Sequence, residues 1–428
     1  MSASIEIIFA VMVVSYIIAK SLKISTELSM FFAAIAGGLV GGVGIPARHI
    51  AEGAFTYLDI ILIFFTATFF MNLLKESGGV VYVVRGIIQK FSRKKSILFV
   101  LITFLLLLPG ALTGAGSVTV LITGGMIAVV LGYMGLSKPK TAAIIFIIAG
   151  LSAAAPPVSL WAMLTAAGVN MPYMGFFLPL LIPCVVLSLL TIFILGWRGK
   201  PVDLEKALKE LPEAPPQMNW IKVILPFLVF FILMLAGRIW PHSLPVIGLP
   251  LMFVVAAVVS YFLSPVRLNI FDIARNTVHQ LLPLIGTLTC VGILVQIMTL
   301  TGVRGLIAIT VVTLPITIVF CSLFLVLPVS EAVLMWGAAP VLGVPLVLLF
   351  NTIGLNPIVA LAGMSVIWPL GDALPPTAII GRLTKDTVEM EESYGHMLKH
   401  CLIPAILIII AGTLMVIFSK ELSFLTLL

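Results

Sequence analysis

Long apolar stretches set off by short polar punctuation run the length of the chain. Residues 5–19, 57–74, 174–196, 221–236, 246–263 and 402–418 are almost free of charge, and most are long enough to cross a hydrocarbon layer of about 30 Å as a helix. No segment alternates apolar and polar residues with a period of two, as a transmembrane barrel requires. The pattern predicts an all-α polytopic membrane protein. Composition agrees, with 61% hydrophobic and 10% charged residues in 428, where globular chains carry roughly 45–50% and about 25%. The mean hydropathy is +1.25. The first apolar run has no basic region ahead of it and no small-residue cleavage site, so it reads as a span and not a removed signal.

The net charge of +7 changes the picture only through its placement, which suits lipid and topology and not nucleic acid. Lys20 and Lys23, the cluster Arg85, Lys90, Arg93, Lys94 and Lys95, and then Lys138 and Lys140 fall between apolar stretches. So do Arg198, Lys200, Lys206 and Lys209, Arg267 and Arg275, and Arg382 and Lys385. All share one face if segments 96–135 and 309–353 enter and leave on the same side. The other face receives Arg48, Arg238, Arg304 and Lys420. The positive-inside rule then predicts a bacterial-type inner-membrane protein with both termini outside and the 197–219 loop in the cytoplasm. That loop carries Pro201, Pro212, Pro215 and Pro216 around LEKALKE, and reads as a linker with a surface helix lying against the bilayer.

The two sides of the linker repeat one another. An offset of 219 pairs Pro109 with Pro328, Gly124 with Gly343, Gly135 with Gly354, and Pro156-Pro157 with Pro375-Pro376, without a gap. Upstream, an offset of 224 pairs Gly78 with Gly302. The charge pattern starts the first copy from outside and the second from inside, so the repeats are of inverted topology, the arrangement of secondary transporters with discontinuous helices. The organisation expected is a first repeat at 1–196 (hairpin 96–135, broken span 138–168), the linker at 197–219, and a second repeat at 220–428 (hairpin 309–353, broken span 357–381).

Four elements read as broken. A half-helix ending at Pro109 leads to the tip PGALTGAGS, and its arms are too short to cross fully, which predicts a re-entrant helical hairpin. The next span breaks at LSAAAPP, 151–157. The second copy repeats this with a tip at LPVSEAV, 327–333, and a break at LGDALPP, 370–376. Backbone groups unwound at membrane depth cost several kcal/mol each unless satisfied, roughly 2–7 by transfer measurements. Carbonyls and half-helix ends freed at such breaks suit ions and substrate. Ordinary packing kinks are the alternative.

At these residues the sequence resembles the large membrane subunit of the tripartite ATP-independent periplasmic (TRAP) transporters, in the ion transporter superfamily that also holds the divalent-anion/sodium symporters. GALTG at 110–114 and APPVSL at 155–160 are similar to the family's first tip and break, and GLNPIVALAGMSVIWPLGDALPPTAI at 354–379 to its second broken span. The resemblance implies an elevator-type carrier of a small organic anion, driven by sodium. It also implies a small membrane subunit and a periplasmic binding protein as partners; a homodimer is the alternative. The region ahead of the first copy has room for two spans, so a fused small subunit is not expected. Two departures stand out. Ser330-Glu331 replaces the family's Asp-Pro pair, and Gly371-Asp372 falls where the family is usually uncharged.

Thr113, Ser117 and Ser152 are hydroxyls at the first tip and break, with the carbonyls of Gly110, Gly114, Gly150 and Ala155 beside them. They are candidate sodium ligands; back-bonding to their own helical turn is the alternative. In the second copy Ser330, Gly371 and Asp372 complete the candidate ion set. Thr113, Ser117, Ser152, Ser159, Ser330, Glu331, Asp372 and Thr377 form the candidate substrate set. Glu331 and Asp372 are the sharpest signals, because a carboxylate deep in a membrane costs roughly 2.5–3.5 kcal/mol on insertion scales. Their first-copy equivalents are Leu112 and Ala153. They suit a coupled cation or proton, or a structural hydrogen bond. Asp59 and Glu76 lie near span ends. The glycine run 36–44 permits close helix contact, within the chain or between two copies.

Four dispersed cysteines and the histidines 49, 242, 279, 396 and 400 form no metal or catalytic constellation. No nucleophile–base set, HExxH or P-loop appears, so neither an enzyme nor an ATP-driven pump is expected, and no cofactor beyond coupling ions. A channel needs a continuous polar path. The reading is therefore secondary active transport of an organic anion coupled to sodium. The alternative is a proton-coupled carrier that uses Glu331 and Asp372 and needs no binding protein.

Overall fold

The computed structural model describes residues 3–240 and 247–427, which leaves His242 outside the described residues. Every regular element among them is helical, and eight helices are long and apolar enough to cross a membrane. The chain is an integral membrane protein. Helix starts follow local chemistry. The side chains of Asp203, Asn219, Asn269 and Asn356 each accept a first-turn N–H ahead of a helix, satisfying donors that a helix end leaves open.

The two copies match element by element. Thr26–Val40 corresponds to Leu249–Leu263, Gly79–Phe91 to Val303–Thr313, and Phe177–Gly196 to Tyr394–Ile417. The pair Ala47–Phe55 and Leu58–Glu76 corresponds to the continuous helix Ile270–Leu300. Backbone irregularities recur in register. Five-residue π-helical segments occupy Val120–Gly124 and Ala339–Gly343. Gly135 and Gly354 are left-handed at φ 80° and 81°, and Gly78 and Gly302 at 80° and 82°. Both proline pairs are cis. The architecture is thus two inverted-topology repeats, each with a helical hairpin and a broken span.

The copies interlock at the centre. A Cβ placed on Gly150 would stand 2.9 Å from the Cβ of Pro369, and these residues are equivalents at the offset of 219. Ile147 and Val366, and Leu151 and Leu370, face the same small gap and are also equivalents. Residues that meet their own counterparts mark the pseudo-two-fold axis. Beyond each break the chain crosses over. Leu160–Gly168 packs on the π segment of the second hairpin, and Ile379–Thr387 on that of the first.

Outside this centre, Ile5–Ser21 packs on Thr26–Val40, which in turn packs on Ile270–Leu300, and Leu58–Glu76 packs on Leu249–Leu263. Gly53 and Gly292 let the two copies' helices touch backbone to backbone, since a Cβ on Gly292 would lie 2.1 Å from the Gly53 carbonyl. In the run 36–44, Gly37 packs on Met12 and Gly41 near Thr301. These contacts are internal. Asp59 and Glu76 are exposed.

Several expectations need correction. Pro109 and Pro328 do not end half-helices. They lie inside Lys95–Thr113 and Ile316–Leu334. A proline removes one hydrogen bond and crowds the preceding turn, and packed neighbours in a membrane bundle absorb that loss. The turns come later, at Gly114 (φ 66°) and Met335 (φ 53°). Each leading arm is therefore 19 residues, about 28 Å at 1.5 Å per residue, close to a full crossing. The first tip is buried in protein, with Thr113 fully buried and Gly114 against the Phe64 ring. The second hairpin starts at Ile316, because the expected stretch from 309 belongs to the separate helix Val303–Thr313. The second broken span runs on to Thr387, past 381.

The linker helix Leu204–Glu210 also differs from expectation, because its apolar face lies on protein. Ala207 is fully buried. Arg85 donates to the carbonyls of Leu208, Leu211 and Pro212, each at 3.0 Å, and Tyr133 donates to Glu210 at 2.6 Å. Positive charge at a helix C-terminus meets carbonyls left without intrahelical partners, so Arg85 clamps this helix to Gly79–Phe91, while Tyr133 ties it to the foot of the first hairpin.

Candidate functional site

Two polar clusters flank the central crossing. The first belongs to the first copy. Gly110 sits in the last turn of its arm directly under Ser152, where a Cβ would lie 1.9 Å from the serine Oγ. Ser152 donates to the Ala149 carbonyl at 2.6 Å and meets Thr119 Oγ1 at 2.9 Å. Thr123 donates to the Thr119 carbonyl at 2.9 Å, and Thr113 to the Pro109 carbonyl at 2.7 Å. The Gly110 carbonyl is not free, since it accepts the Gly114 N–H at 2.7 Å. Ala155 ends the helix in extended backbone. Its N–H reaches the Ser152 carbonyl at 3.2 Å. The cluster is a closed set of hydroxyls whose protons already go to carbonyls or to one another.

The second cluster belongs to the second copy and is left open. Gly371 is wedged against the last turn of the Ile316–Leu334 helix, where a Cβ would lie 2.3 Å from the Pro328 carbonyl and 2.6 Å from Glu331 Cβ. That close approach sets the next residue, Asp372, beside Glu331. Both carboxylates are buried, at 1% and 0% exposure. Trp161 Nε1 donates to Glu331 Oε2 at 2.9 Å, but Glu331 Oε1 and Asp372 Oδ2 have no partner among the described residues. Ser330 donates to the Leu327 carbonyl at 2.8 Å and Thr377 to the Ala332 carbonyl at 3.0 Å. Tyr394 donates to the Ala373 carbonyl at 2.8 Å, and Tyr16 to the Val333 carbonyl. No cation is paired with either carboxylate among the described residues.

The predicted residues thus sort into Gly110, Thr113 and Ser152 on one side of the crossing at Gly150, and Ser330, Glu331, Gly371, Asp372 and Thr377 on the other. Gly114 lies at the first tip. Ser117 is half-buried in the turn Gly116–Thr119. Ser159 is buried between the first break and its half-helix; Tyr173 Oη accepts its N–H at 3.2 Å, while its hydroxyl has no partner among the described residues. Sequence reasoning passes over Thr119, Trp161 and Trp368, whose indole N–H is buried without a partner among the described residues. A buried indole N–H needs an acceptor, which is the signal that singles out Trp161. Its acceptor lies 170 residues away in the other copy.

No protein-family model and no curated protein sequence matches the chain. Solved structures do. MtrF of Neisseria gonorrhoeae superposes with a TM-score of 0.63 at 15% identity, covering 90% of this chain and 84% of its own. The YdaH transporter of Alcanivorax borkumensis gives 0.61 at 14% identity, with 87% and 88% covered. The fold is that of a membrane transporter. MtrF is described as illuminating a class of antimetabolite efflux pumps, and YdaH as having an unusual topology. Neither is a TRAP permease, so the likeness supports the transporter fold and not the TRAP assignment.

Proposed function

We propose that the protein is a secondary active carrier of a small organic anion, coupled to the loading and release of a proton at the Glu331–Asp372 pair. The observation that carries this reading is the pair itself, two buried carboxylates of which only Glu331 receives a donor, the Trp161 indole. Two adjacent negative charges in a low-dielectric interior repel strongly, and burying even one ionised carboxylate without compensation is costly. The pair therefore favours holding a positive species between its unpartnered oxygens. A proton needs only two oxygens, whereas a sodium ion needs several more. Loading removes one of the pair's two negative charges, which lowers the cost of carrying the site through the membrane in a moving element. Sodium is the second reading, favoured by the oxygen-rich set around Ser152 and Thr119. The carried anion is drawn from the resemblance to the divalent-anion/sodium symporters of the wider ion transporter superfamily, and not from the TRAP assignment; MtrF's membership of an efflux class raises export as the direction to test first.

Reconstituted protein with imposed pH or sodium gradients separates these readings. Asp372→Asn keeps shape and hydrogen bonding while removing the charge. Gradient-driven accumulation is expected to be lost while the protein stays folded and substrate exchange survives. Wild-type accumulation with unaltered pH and sodium dependence overturns the coupling assignment.

A further inference from the structure

We propose that the first copy holds a phospholipid acyl chain in an apolar cavity between its hairpin and the surrounding helices. The cavity, about 300 Å³, runs along Leu101, Leu105 and Leu108 of the leading arm to Pro156 and Pro157 at the first break, and is closed by Leu181 and Phe231. Every side chain lining it is apolar. A space of this kind stays dry, and walls without partner atoms lose their dispersion contacts, so an apolar occupant suits it.

Its mouth identifies the occupant. Phe104 and Phe177 line the cavity and are 49% and 37% exposed. Along the arm, the lining from Leu101 to Leu112 lies roughly 9 to 26 Å from Lys95 at the helical rise, well inside a hydrocarbon layer of about 30 Å. At that depth an exposed phenylalanine meets lipid tails. The apolar lining is also specific to this copy. At the offset of 219 the equivalents of Ala111 and Leu112 are Ser330 and Glu331, so the shared fold tolerates polar groups at both positions. The carboxylate chemistry and the acyl-chain chemistry thus occupy corresponding places in the two copies. Because Phe231 comes from an outer helix and Leu108 from the hairpin, a chain lodged there fills the seam between them.

The test uses full-length protein in nanodiscs containing a phosphatidylethanolamine with a photoactivatable diazirine near one acyl terminus. Cross-linked peptides are mapped by mass spectrometry. Labelling of residues 101–112 and 177–185 is expected to exceed that of the lipid-facing stretch 402–414, which lines no part of the cavity, several-fold in the wild-type protein. Ala111→Phe and Leu181→Trp, which fill the cavity, should remove the excess and leave labelling of 402–414 unchanged. Equal labelling of the two regions in the wild-type protein overturns the proposal, whether or not the filled variants fold. So does an excess that survives filling in variants that retain their thermal unfolding transition. Label confined to 402–414 also overturns it.

Discussion

The first copy's central cluster is made of hydroxyls and closed on itself; the second copy's is made of carboxylates and left open. The backbone is nevertheless repeated at both places, with a π segment in each return arm and a glycine packing hairpin against broken span. Only the glycine has changed sides. In the first copy Gly110 on the hairpin accommodates Ser152, while in the second Gly371 on the broken span accommodates Glu331 and the Pro328 carbonyl. Val329 stands at the equivalent of Gly110, and Leu112 and Ala153 at the equivalents of Glu331 and Asp372. The residues equivalent to Trp161 and Glu331 are the apolar Ile380 and Leu112. One copy therefore shows that the fold closes without charge. The carboxylates are additions to the architecture, and their retention at a desolvation cost points to use.

The largest way to break this comparison is to interfere with the glycine of the open cluster. In Gly371→Ala the new Cβ meets a backbone carbonyl at 2.3 Å, which cannot give way as a flexible side chain would. The expected cost is about 1–3 kcal/mol, typical of overpacking, with a lowered thermal transition and little remaining transport. An unchanged transition together with full transport contradicts the packing at the Pro328–Glu331 turn.

Next comes the donor that the first copy lends to the second. Trp161→Phe keeps the ring bulk and removes the N–H that Glu331 accepts, with an expected cost of about 1–3 kcal/mol as a buried charged group loses its partner. Transport should persist with its pH profile displaced. A fall in maximal rate with an unmoved profile would make Trp161 a packing residue only.

The smallest effect is expected in the closed cluster. Ser152→Ala removes its donation to Ala149 and the contact with Thr119, for about 0.5–1.5 kcal/mol of stability as ordinary hydrogen bonds are lost. Sodium dependence should not change if coupling resides at the carboxylates. A raised sodium concentration for half-maximal transport would move the coupling ion to the first copy and reverse the comparison.

Much of this is legible in the amino-acid sequence. Apolar runs long enough to span a membrane, the glycine and proline spacing at 219, and two carboxylates in apolar surroundings are local or pairwise features of the chain, and each has a direct physical meaning. The helix ends were less legible. Pro109 and Pro328 are strong breakers in isolation, yet neighbouring helices supply the packing that carries both arms through them, and the turns fall at Gly114 and Met335 instead. Met335 is no natural candidate for a left-handed turn. Contacts between the copies were decided by tertiary structure alone. The Gly150–Pro369 crossing, the Gly371 wedge and the Trp161–Glu331 bond each join residues far apart in the chain. A one-dimensional pattern carries the period and composition of each helix. Which face of one half-helix meets which turn of the other copy depends on packing across the pseudo-two-fold axis, where shape complementarity, and not periodicity, selects the partner.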